Sequence, residues 1–240
     1  MIRLRTLVTS AALLALAACG DGGGHDGAPA DTAGAVAAPP AAPAPSTPHT
    51  WVSNPAAGVA VTASGGESLR VETGPHAVLW PSDAGELAPP YTVRATLQKR
   101  AGRLHEGYGL VFGGSGLDGS ESGQVYSYFL VRGDGSYLVK RRQGDETPVV
   151  RDWTAHAAIA RDDDDGGRPH ALEVQVTDSE VVFRVGGAEV ARVPASELSV
   201  RGRAGIRTSH DVELEVTGFE AASAGPAAPP ALDSVAAPAP

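Results

Sequence analysis

Cysteine is nearly absent from this sequence, because Cys19 is the only one among 240 residues. A disulfide within the chain is therefore excluded, and a folded part must be stabilised by its apolar core. Basic residues are also scarce: 19 Lys and Arg stand against 28 Asp and Glu, giving a formal net charge of −9. No run of basic residues is long enough to follow a phosphate backbone, so nucleic acid is not an expected partner.

Aromatic residues are few, and their positions divide the chain. The 3 Trp, 5 Tyr and 4 Phe all fall between Trp51 and Phe219. The flanking segments consist almost entirely of Ala, Gly, Pro, Ser, Thr and Asp, and have too little apolar surface to offset the entropy of ordering. The contrast predicts a folded domain at 50–220 between two disordered flanks, an Ala/Gly/Pro-rich linker at 19–49 and an Ala/Pro-rich tail at 221–240.

The N-terminus combines a positive start with a short apolar stretch. Arg3 and Arg5 precede apolar residues 7–18, which are too few to span a bilayer but have the length of a signal peptide. The stretch ends in Leu-Ala-Ala-Cys at 16–19, which resembles the lipobox of bacterial lipoproteins. That resemblance implies a lipoprotein signal peptide at 1–18 and lipidation of Cys19. An ordinary secretory peptide with a chance cysteine is the alternative.

The residue after Cys19 bears on where such a lipoprotein would reside. Gly20 follows directly, and Asp21 comes next, whereas an aspartate directly after the cysteine resembles an inner-membrane retention signal. The resemblance favours the outer membrane, with the domain facing the periplasm or the cell surface. Because an acidic surface is repelled by anionic headgroups, we expect the acyl chains to hold the protein at its membrane.

The sequence of the domain predicts a series of consecutive β-strands. Apolar and polar residues alternate in five segments, at 91–97, 124–132, 171–177, 180–185 and 212–219. Turn-forming glycine and aspartate residues stand between them, as at 133–135 and 186–187. Consecutive hairpins form antiparallel sheet, and many short strands in this length favour two packed sheets. The pattern predicts an all-β, two-sheet antiparallel β-sandwich with jelly-roll connectivity.

Two segments are similar to a known superfamily. The sequences YGLVFGG at 108–114 and YSYFLVRGDGSYLVKRR at 126–142 resemble concanavalin A-like/laminin G-like domains, and most closely the 3-keto-disaccharide hydrolase-like domain. The motifs GRPH at 167–170 and GRAGI at 202–206 follow in that family's order. The resemblance implies a concanavalin A-like jelly roll. It carries over no catalytic residue, because its motifs describe strands and hairpins and one fold hosts many functions.

The hairpin at 126–142 contains the candidate ligand-binding residues. If it turns through residues 133–135, one face carries Tyr126, Tyr128, Arg132, Lys140 and Arg142. Aromatic rings stack on the apolar faces of sugars, and long basic side chains donate hydrogen bonds to hydroxyl or carboxylate groups. This glycan platform requires Tyr126, Tyr128 and Arg132 to be accessible.

A different register changes the list. A two-residue turn at Asp134 and Gly135 places Tyr137 and Arg141 with the tyrosines and Lys140 behind them. The simplest alternative is that the tyrosines merely fill the second side of a sheet, since aromatic residues are enriched in strands.

An acidic loop and scattered histidines are weaker candidates. Calcium is used by some laminin G-like domains, and the weak candidate ligands are Asp162, Asp163, Asp164 and Asp165. Four adjacent aspartates lack the alternating spacing that wraps one ion, so a solvated loop without metal or cofactor is the expectation. Four histidines lie on separate segments, and we expect ordinary surface roles for His105, His156, His170 and His210.

Three functions fit these observations. The first is a non-catalytic, membrane-anchored lipoprotein of the cell envelope whose β-sandwich binds a glycan or another envelope component. The second is a glycoside hydrolase-like enzyme acting on 3-keto-disaccharides or glucosides, for which no nucleophile motif or carboxylate pair is evident. The third is a structural lipoprotein that contacts an envelope protein through sheet edges or its Pro-rich tails.

Overall fold

The computed structural model describes residues 49–54, 58–63, 68–163 and 167–223. The predicted signal peptide, Cys19, most of the linker, the end of the tail, Asp164 and Asp165 lie outside the described residues. No helix in the described part of the chain is long and apolar enough to cross a membrane.

The described residues form strands joined by turns. In chain order the strands are β1 (Trp51–Ser53), β2 (Val59–Ala63), β3 (Leu69–Thr73), β4 (Ala77–Pro81), β5 (Tyr91–Ala101), β6 (Gly107–Ser115), β7 (Val125–Arg132), β8 (Ser136–Gln143), β9 (Val149–Ala155), β10 (His170–Val176), β11 (Glu180–Val185), β12 (Ala188–Pro194), β13 (Arg203–Thr208) and β14 (Glu213–Ser223). Two short 3-10 turns, at Glu121–Gly123 and Ala195–Glu197, interrupt the loops.

Two seven-stranded sheets pack face to face. Sheet A has the order β1-β4-β13-β6-β7-β8-β9, and sheet B has the order β12-β11-β10-β5-β14-β3-β2. The paired strands in both sheets are antiparallel, which confirms the predicted sandwich. In β5 and β10 alternate residues are buried, as the sequence pattern predicts for strands with one face on a core.

Three phenylalanine rings join the two sheets inside the sandwich. Phe183 of β11 lies 5.1 Å from Phe129 of β7 and 6.0 Å from Phe112 of β6, measured between ring centroids. All three side chains are fully buried. Aromatic pairs at this separation add favourable ring contacts to the burial of apolar surface.

A second apolar cluster lies on the outer side of sheet A, away from sheet B. Its buried members are Val78, Trp80, Val111, Leu117, Tyr126, Tyr128, Leu130 and Leu138. Strands β6 and β7 are consequently buried on both faces. Sheet A therefore has apolar residues on both faces. An antiparallel sheet at the surface of a domain more commonly has one apolar face and one polar face.

A buried ion pair and a hydrogen bond to the backbone lie at one end of the sandwich. The ammonium of Lys99 lies 2.9 Å from Asp162 Oδ2, and the two side chains are only 3% and 4% exposed. Lys99 Nζ also donates a hydrogen bond of 3.0 Å to the carbonyl of Arg103. The prediction of Asp162 as a solvated loop residue and weak calcium candidate is therefore wrong, because its carboxylate is buried against a lysine.

His170 belongs to the same end of the sandwich. Its Nε2 lies 3.0 Å from the carbonyl of Ala160, and its Nδ1 lies 3.0 Å from the hydroxyl of Tyr108. Since a carbonyl only accepts, Nε2 carries the proton and Nδ1 of the neutral ring accepts from Tyr108. The expected surface role of His170 is wrong, because the side chain is buried.

Burial of His170 predicts a loss of stability in mild acid. Burial, despite opposing contributions from the Ala160 carbonyl and Asp162, lowers the pKa of His170. The unfolded chain therefore binds a proton below about pH 6.5 that the folded chain refuses, so stability falls as pH drops from there towards the folded pKa. Urea unfolding at pH 7.5 and 5.5 measures this loss. His170→Gln should reduce the difference between the two pH values. A variant that keeps the full parental difference would show that burial of His170 is not its cause.

Candidate ligand-binding face

The register of the β7–β8 hairpin settles which side chains share a face. Tyr126 pairs with Arg142, Tyr128 with Lys140, and Arg132 with Ser136, so the turn consists of residues 133–135. This confirms the predicted grouping on one face of Tyr126, Tyr128, Arg132, Lys140 and Arg142. The two-residue alternative is wrong, since Tyr137 lies in the core between the sheets.

The turn itself is held by its own side chains. Asp134 accepts a hydrogen bond of 3.1 Å from the Ser136 amide and pairs with Arg132 at 2.7 Å. Burial alone raises the pKa of Asp134, but the hydrogen bonds from Arg132 and Ser136 outweigh it and lower that pKa. Gly133 has a separate reason to lack a side chain, because a Cβ there would lie 2.1 Å from Asp162 Oδ2.

The two tyrosines do not form an accessible platform. Tyr126 is 1% exposed and Tyr128 is 4% exposed, and their ring centroids lie 5.7 Å apart. Burial raises the pKa of Tyr128, although Arg207 opposes the effect. The expectation that these rings stack on a sugar is therefore corrected. They form the floor of the outer face, beneath more exposed side chains.

Arg207 lies above them and is not among the residues predicted from the sequence. Its guanidinium carbon lies 4.8 Å from the ring centroid of Tyr128, and its Nη1 donates a hydrogen bond of 3.1 Å to the hydroxyl of Tyr126. Its Nε is buried without a hydrogen-bond partner. The alternation of Arg203, Gly205 and Arg207 along β13 was the available signal.

Trp153 supplies the partly exposed aromatic ring on this face. It lies on β9, packs against the outer cluster, and carries the guanidinium of Arg132 at 4.2 Å from its ring centroid. Gly107 makes room for it, since a Cβ there would lie 3.0 Å from the Trp153 ring. Arg132 is only partly buried, so it meets the accessibility requirement that the tyrosines fail.

Glu121 links two further groups at the edge of the same face. Its Oε1 lies 2.9 Å from His76 Nε2, and its Oε2 lies 3.3 Å from the guanidinium of Arg142. Burial and the nearby charge of Arg207 lower the pKa of His76. The same two causes lower the pKa of Lys140. Arg207, Arg142 and Lys140 thus share one region of positive potential.

The outer side of sheet B is different, because its charges neutralise one another. Arginines there pair with glutamates of their own sheet, in the pairs Arg70–Glu213, Arg94–Glu220, Arg100–Glu215, Arg184–Glu173 and Arg192–Glu180. On sheet A, by contrast, Arg207 and Lys140 have no carboxylate within 4.0 Å in the described part of the chain. The sandwich therefore has one self-neutralised face and one face with free positive charge.

Some histidines converge and others do not. His105 pairs with Glu106 at 3.3 Å, the other oxygen of Glu106 accepts from the His210 amide, and His210 packs edge-on against His76. His156 accepts a hydrogen bond from the Ala158 amide within its own turn. Within the described ranges, no group of three or more His, Cys, Asp or Glu side chains is placed to hold a metal ion. Asp163 pairs with Arg168.

Comparison with known proteins identifies the fold. No protein-family model matches the sequence, and no characterised protein matches it. Among solved structures, a carbohydrate-binding module, CBM66 from Bacillus subtilis, superposes with a TM-score of 0.56 at 10% identity, covering 72% of this chain and 95% of that one. A Bacillus subtilis protein of unknown function with a galectin-like fold superposes at 0.55 and 13% identity, covering 71% and 88%. The fold is galectin-like.

A third similar structure is the carbohydrate recognition domain of Emp46p in its potassium-bound form. It superposes with a TM-score of 0.52 at 11% identity, covering 73% of this chain and 89% of that one. These likenesses establish a concanavalin-like jelly roll for the chain. The finer resemblance to the 3-keto-disaccharide hydrolase-like family finds no matching family model.

Proposed function

We propose that this domain is a glycan-binding module and that its ligand lies on the outer side of sheet A. The observation that carries the proposal is the contrast between the two outer faces. Sheet B presents paired charges, whereas sheet A presents Trp153, Arg132, Arg207 and Lys140 above an apolar floor. Structures that superpose on this domain include a carbohydrate-binding module and a carbohydrate recognition domain, which supports this choice of ligand.

The chemistry of this face suits a sugar. A sugar ring has an apolar face that packs on an aromatic ring, and Trp153 is the partly exposed aromatic side chain of β9. The hydroxyl groups of the sugar accept hydrogen bonds from guanidinium and ammonium groups. Arginine donates in a fixed planar geometry, and lysine donates from a flexible side chain. Ion pairs with Asp134 and Glu121 hold Arg132 and Arg142 in place.

Removing the Trp153 ring should weaken binding. We expect full-length chain in detergent to bind specific members of a glycan array, and Trp153→Ala to lower that affinity by about tenfold, since an aromatic contact contributes ~0.5–1.5 kcal/mol beyond its burial. Trp153→Phe should retain most of the affinity. Val149→Ala removes an exposed apolar side chain from the same strand and is the matched control. An array on which no glycan binds, or equal binding by Trp153→Ala and Val149→Ala, would refute the proposal.

We also propose that the module is tethered to a membrane through Cys19, in the cell envelope and with the outer membrane favoured. The lipobox-like sequence at 16–19 supports this, and residues 20–48 would serve as the spacer. Cys19→Ser should move the protein from the membrane fraction to the soluble fraction without altering its thermal unfolding. Continued sedimentation with membranes after this substitution would argue against lipid attachment.

A further inference from the structure

We infer that the glycan bound on the outer side of sheet A carries a carboxylate, and that Arg207 is the residue that binds it. The inference rests on the proposed function and names the class of sugar: an acidic glycan containing a uronic acid. The charge of this face differs from that of the protein as a whole, which is acidic, with a formal net charge of −9.

The outer side of sheet A carries several positive charges with few carboxylates beside them. Arg207, Lys140 and Arg142 lie close enough for Arg207 and Arg142 to disfavour the charge on Lys140. Glu121 contacts both His76 and Arg142. Asp152 favours the charge on Lys140 without forming an ion pair with it. In an acidic protein whose other sheet pairs its arginines, such a face is complementary to an anion.

The guanidinium of Arg207 is preorganised for that anion. The ring of Tyr128 beneath it and the hydroxyl of Tyr126 at Nη1 fix its plane and its rotation. Nε is buried without a hydrogen-bond partner, so the donors left for a ligand are those of Nη2 and the second N–H of Nη1, at the end of the guanidinium. A guanidinium edge with two parallel N–H groups matches the two oxygens of a carboxylate. Little side-chain entropy is lost on binding, since the arginine is already held.

Register explains how Arg207 comes to lie over the tyrosines. Arg207 of β13 pairs with Gly109 of β6, which in turn pairs with Leu130 of β7. Gly109 brings no side chain between the arginine and the tyrosines of β7. The two cross-strand neighbours of Arg207, Gly109 and Val78, carry no charge that could neutralise it.

The test compares matched oligosaccharides on the full-length chain. Titration calorimetry at low and moderate salt would use oligomannuronate, neutral oligomannose of equal length, and a sulfated form of the neutral oligomer. We expect oligomannuronate to bind at least about tenfold more tightly than the neutral oligomer, with an affinity that falls as salt rises. Arg207→Gln should abolish that preference. Arg94→Gln removes an arginine from the paired face of sheet B and should leave the preference unchanged.

The outcomes separate the inference from the proposed function. Equal binding of the neutral and uronate oligomers, lost in Trp153→Ala, would overturn the inference and leave glycan binding intact. Tighter binding of the sulfated oligomer than of oligomannuronate would overturn the carboxylate assignment. Binding of no oligosaccharide here or on the array would overturn both. If Arg207→Gln unfolds at the same temperature as the parent protein, misfolding is excluded as the cause of a lost preference. Arg207→Lys keeps the positive charge but lacks the paired N–H groups of a guanidinium, so it should keep only part of the preference for oligomannuronate.

Discussion

Asp162→Asn is expected to lower the free energy of unfolding by about 3–5 kcal/mol, because it leaves the buried ammonium of Lys99 without a counter-charge. The pair is almost fully buried, and the other hydrogen bond of Lys99 is to a backbone carbonyl that carries no full charge. Such a loss is a large share of the ~5–15 kcal/mol that stabilises a typical domain. Equilibrium unfolding in urea, followed by tryptophan fluorescence, measures it directly.

The matched control removes both charges together. Lys99→Met with Asp162→Leu deletes the pair while keeping apolar volume, and such replacements are often neutral or stabilising. The double variant should therefore be more stable than Asp162→Asn alone. Asp163→Asn, at the neighbouring position whose partner Arg168 is exposed, should change stability by less than about 1 kcal/mol. Equal losses for Asp162→Asn and Asp163→Asn would show that residue 162 is solvated.

Phe183→Ala is expected to cost about 3–5 kcal/mol, the range measured when a fully buried aromatic ring is replaced by a methyl group. The ring contacts Phe112 and Phe129 of the opposite sheet, so its removal opens a cavity between the sheets. Since both partners belong to sheet A, the loss weakens the contact that holds sheet B against it. The midpoint of urea unfolding should fall with little change in slope.

Phe183→Leu provides the graded comparison. Leucine restores most of the apolar volume without the ring contacts, so its cost should be well under that of the alanine variant. Gln175→Ala, on the exposed side of neighbouring β10, should be nearly neutral. If alanine and leucine at position 183 were equally destabilising, the aromatic contacts and not the cavity would determine the loss.

Much of the fold was predictable because strand periodicity is a local property. The alternation at 171–177 and 180–185 gives the buried faces of β10 and β11, and the turn at 133–135 gives the hairpin register. The predicted last strand at 212–219 continues to Ser223 instead. Its alternation is broken by a bulge at Gly218, which has a positive φ of 59° and returns Phe219 to the core side.

The candidate face was predicted only in part, because its key contacts join distant segments. The pattern of β7 and β8 placed five side chains together, but accessibility depends on β4, β6, β9 and β13 as well. Arg207 reaches the tyrosines from 81 residues away. The same holds for Asp162, whose partner Lys99 lies on β5. The local sequence therefore predicts which side chains share a face of a strand. Which of those side chains are buried depends on the neighbouring strands in the folded domain.

The position of β14 constrains when the domain can fold. Among the described strands this one comes last, yet it lies inside sheet B between β5 and β3, pairing through to Ser223 opposite Tyr91. A growing or emerging chain that lacks residues 213–223 leaves sheet B divided, with two unpaired inner edges. Folding must therefore wait for nearly the whole domain, and contacts between such distant segments place it among slow-folding β proteins, on a scale of milliseconds to seconds.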